Sequence, residues 1–202
     1  MDTITKTPRA QNMLRHAGVS SIKIRTNGGF TLLELLIAVA IMAIVFGFGI
    51  PSLRGITATN RLAAGVNAIS GSLAYARSEA IRQNQHVVVC QSENGRTCRR
   101  NGDWREGWLV FVDRNRNRQV DGDETILQHH TGIPSRLGVV YRAFGSKHYL
   151  AYRPSGATKT NGTFTICDQS DNHYARAVIL IKSGRVRISK RKPDGTPLDC
   201  SG

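Results

Sequence analysis

Gly28-Gly29-Phe30-Thr31-Leu32-Leu33-Glu34-Leu35-Leu36-Ile37-Ala38-Val39-Ala40-Ile41-Met42-Ala43-Ile44-Val45-Phe46-Gly47-Phe48-Gly49-Ile50-Pro51 is the stretch that decides how this chain is read. From Phe30 to Ile50 there are 21 residues and a single charge, Glu34. As a helix rising about 1.5 Å per residue, the run matches a bilayer core of about 30 Å. Residues 30–50 are therefore expected to span a membrane, and the rest of the chain to be carried on that span. A carboxylate inside such a run costs roughly 3 kcal/mol on insertion scales, so Glu34 calls for a partner.

Upstream, residues 1–27 are polar, without period, and expected to be disordered. The 29 residues ahead of the run hold five bases (Lys6, Arg9, Arg15, Lys23, Arg25) and one acid (Asp2). Bases on this side place the N-terminus in the cytoplasm and the C-terminal part across the inner membrane. They account for only +4 of the formal charge of +14, which leaves +10 on residues 30–202. An excess of that size attracts polyanions: nucleic acid, anionic headgroups or acidic polysaccharide.

Downstream, one long helix is predicted over residues 30–84, with a bend at Pro51. Leu53, Ile56, Leu62, Val66, Ile69, Leu73, Ala76 and Ala80 recur at three- and four-residue spacings and form a stripe suited to packing on a sheet. After Asn84 the texture changes to short apolar runs separated by Gly, Asn, Asp and Pro. The runs at 87–90, 107–112, 125–128, 137–142, 149–152, 163–167, 175–182 and 185–189 are expected strands. The fold class is α+β, a long N-terminal helix packed on an antiparallel β-sheet domain at 85–202 with a single core.

Cys90, Cys98, Cys167 and Cys200 all lie in the translocated part, where an even count favours two disulfides among three connectivities. Cys90–Cys98, which closes a short hairpin-like loop, and Cys167–Cys200, which ties the C-terminal tail to a strand, are the expected pairs.

The segment from Arg176 to Lys192 concentrates seven bases (Arg176, Lys182, Arg185, Arg187, Lys190, Arg191, Lys192) and no acid. Alternation along a strand puts Arg185 and Arg187 on one face, about 6.7 Å apart, with Val186 and Ile188 turned to the core. The planar guanidinium fork suits phosphate oxygens. The same charges also suit an edge strand that must avoid pairing with another sheet.

A Gly before a Phe that opens an apolar run, with Glu four residues on, resembles the class III signal of type IV prepilins. The runs Trp104-Arg105-Glu106-Gly107-Trp108-Leu109-Val110-Phe111-Val112-Asp113, Tyr152-Arg153-Pro154-Ser155-Gly156 and Ser183-Gly184-Arg185-Val186-Arg187 resemble minor pilins and pseudopilins of the GspH/FimT type. The resemblance covers nearly all of residues 28–192. It implies a leader of residues 1–29 removed by a prepilin peptidase between Gly29 and Phe30, and methylation of the new amino terminus. It also implies pairing of Glu34 with a neighbouring subunit during assembly. A single-pass inner-membrane protein with its C-terminal domain in the periplasm then passes into a pilus fibre.

In FimT-type proteins a Gly-Arg-x-Arg motif at this position is associated with DNA uptake in natural transformation, and Gly184-Arg185-Val186-Arg187 matches it. The implied partners are double-stranded DNA, met without sequence preference, and other pilin subunits. Gly184, Arg185 and Arg187, with Lys182, Lys190, Arg191 and Lys192, are the candidate DNA-binding residues. The alternative is a structural minor pilin or pseudopilin that primes pilus assembly or type II secretion without touching DNA.

Three other clusters point elsewhere. Arg96, Arg99, Arg100 and Arg105 surround the first cysteine loop beside Trp104, which is read as core packing rather than a stacking platform. Asp113 to Glu124 places oxygens at calcium-loop positions, but Arg118 stands where the sharp turn requires Gly, so a solvated hairpin loop is the better reading. His16, His86, His129, His130, His148 and His173 sit apart from any nucleophile pattern, and adjacent His129 and His130 point to opposite strand faces. No enzyme activity, cofactor or metal is expected.

Overall fold

The computed structural model describes residues 29–169 and 174–200, with residues 48–54 described by backbone alone. The chain divides into two compact units, Met1–Val45 and Phe46–Gly202. Leader residues 1–28, Asp171, His173 and the side chain of Leu53 lie outside the described residues.

A single helix, α1, runs Leu32–Gln83 as one element across Pro51. Its start is capped locally: the Glu34 amide donates to Thr31 Oγ1 at 3.2 Å. Thr31-Leu32-Leu33-Glu34 is thus a Thr-x-x-Glu start signal, with an acid in the first turn where the helix dipole favours it. In the first unit the large apolar side chains from Phe30 to Val45 are all exposed. Among the described residues no helix is long and apolar enough to cross a membrane. The span expected over residues 30–50 is therefore not reproduced whole, because the side chains that would complete it, from Phe48 onward, fall outside the described residues.

In the second unit α1 buries one stripe: Ala58, Leu62, Val66, Ile69, Leu73, Ala76 and Ala80. Ile56, assigned to this stripe by spacing, is instead 54% exposed. The helix ends at Asn84, whose left-handed φ of 52° lets the Gln85 amide reach back to the Ala80 carbonyl at 3.2 Å.

Eight strands follow: β1 Val87–Gln91, β2 Trp108–Val112, β3 Ile126–His130, β4 Leu137–Ala143, β5 Tyr149–Tyr152, β6 Gly162–Asp168, β7 Ala175–Leu180 and β8 Val186–Ser189. They form two four-stranded antiparallel sheets, ordered β3-β2-β1-β5 and β4-β6-β7-β8. The stripe of α1 packs on both. Its main core includes Val87, Val89, Val110 and Tyr152 from the first sheet and Leu137, Phe164, Ile166 and Val178 from the second. Gly65 lets the helix approach β4 closely, since a Cβ there would stand 2.8 Å from Leu137 Cδ1.

The expected single core is corrected to two clusters. Val88, Cys90, Leu109 and Phe111 form a second one on the face of β1 and β2 turned away from the first. Both strands are buried at every position, because Cys98, Val120, Tyr149 and Ala151 cover that outer face. The unbroken apolar runs at 87–90 and 108–112 carried this signal, since a strand with one wet face alternates. Cys90–Cys98, with Cα atoms 5.6 Å apart, fastens the covering loop to β1. Cys167–Cys200 fastens the tail to β6.

Candidate nucleic-acid interface

β7 and β8 form a hairpin in the register Leu180 with Val186, Ile179 with Arg187 and Val178 with Ile188. Its turn is closed by the Gly184 amide donating to the Ile181 carbonyl at 2.8 Å and the Ile181 amide donating to the Arg185 carbonyl at 3.1 Å. β8 is the last strand of its sheet, so its outer edge carries no further strand.

Arg185 and Arg187 are exposed, while Val186 between them is half-buried against the main core. Neither arginine has an ion-pair partner among the described residues. Both guanidiniums are therefore available to an external anion, Arg187 from within β8 and Arg185 from the residue just before it. Ile188, expected to face the core, is 54% exposed. The main core reaches Val186 but not Ile188, since an edge strand is covered only as far as the packing from one side extends.

Gly184 has a different role from the one expected of it. It is buried, with φ +78°, and an added Cβ would lie 1.8 Å from the Gly156 carbonyl oxygen. It offers a ligand no surface; it lets the β7–β8 turn press against the loop after β5. The same Gly156 oxygen accepts a hydrogen bond at 3.0 Å from Arg77 Nε on α1. Two further bonds lace this junction, Thr158 amide to Lys182 carbonyl at 2.9 Å and Lys182 amide to Asn161 Oδ1 at 2.8 Å. Helix, loop and turn are thus locked together, and Arg77 and Arg153 come to the same end of the domain as Lys182 and Arg185. Sequence reading missed Arg77 and Arg153, because neither lies near the C-terminal run of bases.

The remaining bases of that run behave unequally. Lys190 is exposed, whereas the Arg191 side chain donates to the Gly195 carbonyl at 3.0 Å and Lys192 is half-buried. Residues 191–197 form a small hairpin through a bridge between Arg191 and Pro197. Asp194 at its tip is held below the usual carboxylate range, chiefly by the Thr196 hydroxyl and amide, so it stays ionised and weakens the local positive field.

Trp104 is 3% exposed, lies edge-on to Phe164 and Tyr141, and donates from Nε1 to the Lys147 carbonyl at 3.1 Å, as expected of core packing. Around it Arg99 pairs with Glu93 and Glu106, and Arg105 with Asp103. The 113–124 segment is the loop between β2 and β3, and its acids Asp113, Asp121 and Glu124 are engaged within it. Asp121 Oδ2 accepts from Asn115 at 2.6 Å and from Asn117 at 2.7 Å, and Glu124 accepts the Arg114 and Asp121 amides. His129 and His130 do point apart, and the His130 ring stacks on Trp108 at 4.2 Å. Among the described residues no three His, Cys, Asp or Glu side chains are grouped to hold a metal.

Comparison with known proteins agrees with this architecture. Residues 65–184 match the family model for type II transport protein GspH, and residues 24–50 match the prokaryotic N-terminal methylation motif. Pilin-like protein PilA1 of Thermus thermophilus is 31% identical over 169 residues, covering 81% of this chain and 99% of its own. The type IV minor pilin FimU of Pseudomonas aeruginosa shares the fold. One crystal form superposes with a TM-score of 0.54 at 21% identity, covering 70% of this chain and 96% of that one. A second gives 0.51 at 20% identity, over 69% and 100%. Such relatives are structural subunits rather than enzymes. The methylation motif implies a membrane anchor first and a place in a pilus afterwards, with other pilin subunits as partners. A methylation motif opening the helix, and a GspH match over more than half of the chain beyond it, make this protein a member of the GspH family of type IV minor pilins and pseudopilins.

Proposed function

We propose that this minor pilin captures extracellular double-stranded DNA on the edge strand β8, in the manner of FimT-type proteins active in natural transformation. The observation that carries the reading is the pair Arg185 and Arg187, exposed and without an acidic partner among the described residues. Lys182 and Lys190 extend the positive surface to either side. Contact runs through phosphates and is independent of sequence, since among the described residues after Gln83 there is no α-helix to enter a groove and read bases. Modest affinity per subunit suffices, because several subunits on one fibre add through effective concentration.

Delivery follows from the N-terminus. The prepilin peptidase cuts between Gly29 and Phe30, the single span inserts in the inner membrane with the β-domain in the periplasm, and Glu34 pairs with a neighbouring subunit as the fibre grows. Thr31 Oγ1, which accepts the Glu34 amide, caps the first turn of the helix that carries Glu34.

An electrophoretic shift with the full chain in non-ionic detergent tests the capture step. DNA is retarded at low salt, and Arg185→Ala/Arg187→Ala lowers the slope of log affinity against log salt by about 1.8, or 0.9 per lost phosphate contact. A missing shift at low salt, or one unchanged in the double variant, refutes DNA capture. It would leave the second reading, a subunit that primes pilus assembly or type II secretion, which the GspH match and the FimU-like fold support equally.

A further inference from the structure

The outer face of the first sheet carries a second charged surface. Three cavities open around Arg118. One of about 620 Å³ lies against the Cys90–Cys98 loop, one of about 220 Å³ against Phe144 and Thr158, and one of about 180 Å³ against His86, Asp113 and Arg153. Arg118 lines all three; Tyr149 is shared by the first two and Lys159 by the last two, so they form one continuous cleft.

Its cations are Arg99, Arg100, Arg116, Arg118, Arg153 and Lys159; Arg99 pairs with Glu93 and Glu106, and the other five have no ion-pair partner among the described residues. One acid lines it, Asp113, which is buried and accepts the Arg118 amide; the five unpaired cations outnumber it, so the cleft is net positive. The backbone that carries two of these arginines is held in a defined shape. Arg116 and Arg118 both adopt φ +64°, a conformation rare for side chains other than Gly, Asn and Asp. Asn115 and Asn117 hold it by accepting the amides two residues on, at 3.0 and 2.8 Å. The Arg118 guanidinium then lies over the Tyr149 ring, 5.1 Å from its centroid. At the rim Phe144 is 88% exposed, the most exposed large apolar side chain among the described residues of the β-domain.

We propose that this cleft binds a short run of single-stranded nucleic acid, with phosphates on Arg100, Arg116, Arg153 and Lys159 and one base stacked on Phe144. Exposed cations flanking an exposed aromatic suit a strand whose bases are free to leave their neighbours. A duplex keeps its base faces covered and gains nothing from Phe144. The inference deepens the nucleic-acid reading above by adding a second site for a different strand form. The two meet where the Arg153-to-Lys159 loop supports the β7–β8 turn through Gly156 and Gly184.

Fluorescence anisotropy with the full chain in detergent, a labelled short oligothymidine and a labelled duplex of equal length tests it. Phe144→Ala weakens oligothymidine binding roughly five- to 150-fold, the worth of one base stacked on an aromatic, and leaves duplex binding within about twofold. Arg116→Ala/Arg153→Ala flattens the oligothymidine salt slope by about 1.4, at 0.7 per phosphate. Arg185→Ala/Arg187→Ala loses the duplex and keeps the oligothymidine. The proposal is overturned if oligothymidine does not bind at low salt, if Phe144→Ala leaves its affinity unchanged, or if it is lost only with Arg185 and Arg187. Duplex binding that fails while oligothymidine still responds to Phe144 removes the capture reading and leaves this one standing. Because Phe144 is exposed, a folding defect does not imitate the result, and an unchanged circular dichroism spectrum checks this.

Discussion

Gly184→Ala tests whether the glycine before the two arginines belongs to the fold or to the ligand surface. The new Cβ falls 1.8 Å from the Gly156 oxygen and 2.9 Å from its carbonyl carbon, so backbone rather than a flexible side chain must yield. Holding alanine at φ +78° costs about 1–2 kcal/mol in itself. Displacing the Gly156 carbonyl breaks its bond to the Arg77 guanidinium, a charged hydrogen bond worth about 1.5–3 kcal/mol. Together these predict a loss of about 3–5 kcal/mol, which at roughly 2–4 °C per kcal/mol lowers the melting temperature by about 6–20 °C. Near-ultraviolet circular dichroism of the full chain in detergent, disulfides intact, follows the tertiary unfolding of the β-domain. A melting temperature within about 2 °C of the parent would refute the packing argument, since one kcal/mol already moves it that far. Arg185→Ala, whose side chain is exposed, is expected to leave that temperature unchanged.

Two predictions concern the rest of the domain. Asp168 is fully buried and bonded at 3.1 Å to half-buried Arg61, so Arg61→Ala destabilises by about 3 kcal/mol in urea titration; a loss under about 0.5 kcal/mol would show that other contacts of Asp168 suffice. His86 and His130 are both held below their ordinary range, chiefly by burial, with Arg116 adding to the effect at His86 and His129 at His130. The unfolded chain therefore takes up protons first as pH falls through about 6.5, and stability declines from there downward. Urea midpoints measured across that window decline less in His86→Gln/His130→Gln, and equal declines in variant and parent would refute the assignment.

Local pattern carried much of this molecule. Leu62, Val66, Ile69 and Leu73 announced the buried stripe of α1 because a helix must place residues three and four apart on one face. The runs from Val87 and from Trp108 announced strands. Gly29, Phe30 and Glu34 marked the N-terminal signal, and the bases from Arg176 to Lys192 marked a positive end. Each of these readings needs only neighbours along the chain.

Partners distant in sequence were another matter. β1 pairs with β5 rather than with the third strand in order, and β4 leaves the first sheet for the second. Nothing in either strand's own period names its partner, because alternation specifies which side chains need cover and is silent on what supplies it. The same holds for the surfaces. Gly184 looked like part of a binding motif until Gly156 was found against it, and Ile188 looked like core until β8 proved to be an edge. Arg77 comes from the helix to the β7–β8 turn, Arg118 and Arg153 come from two separate loops to one cleft, and only the packed sheets bring each beside its fellow cations. The sequence by itself determined which segments are helix, strand and signal, since these depend on short-range sterics and periodicity. The tertiary structure alone decided which charges stand together and which glycine is buried, since those depend on contacts between residues far apart in the chain.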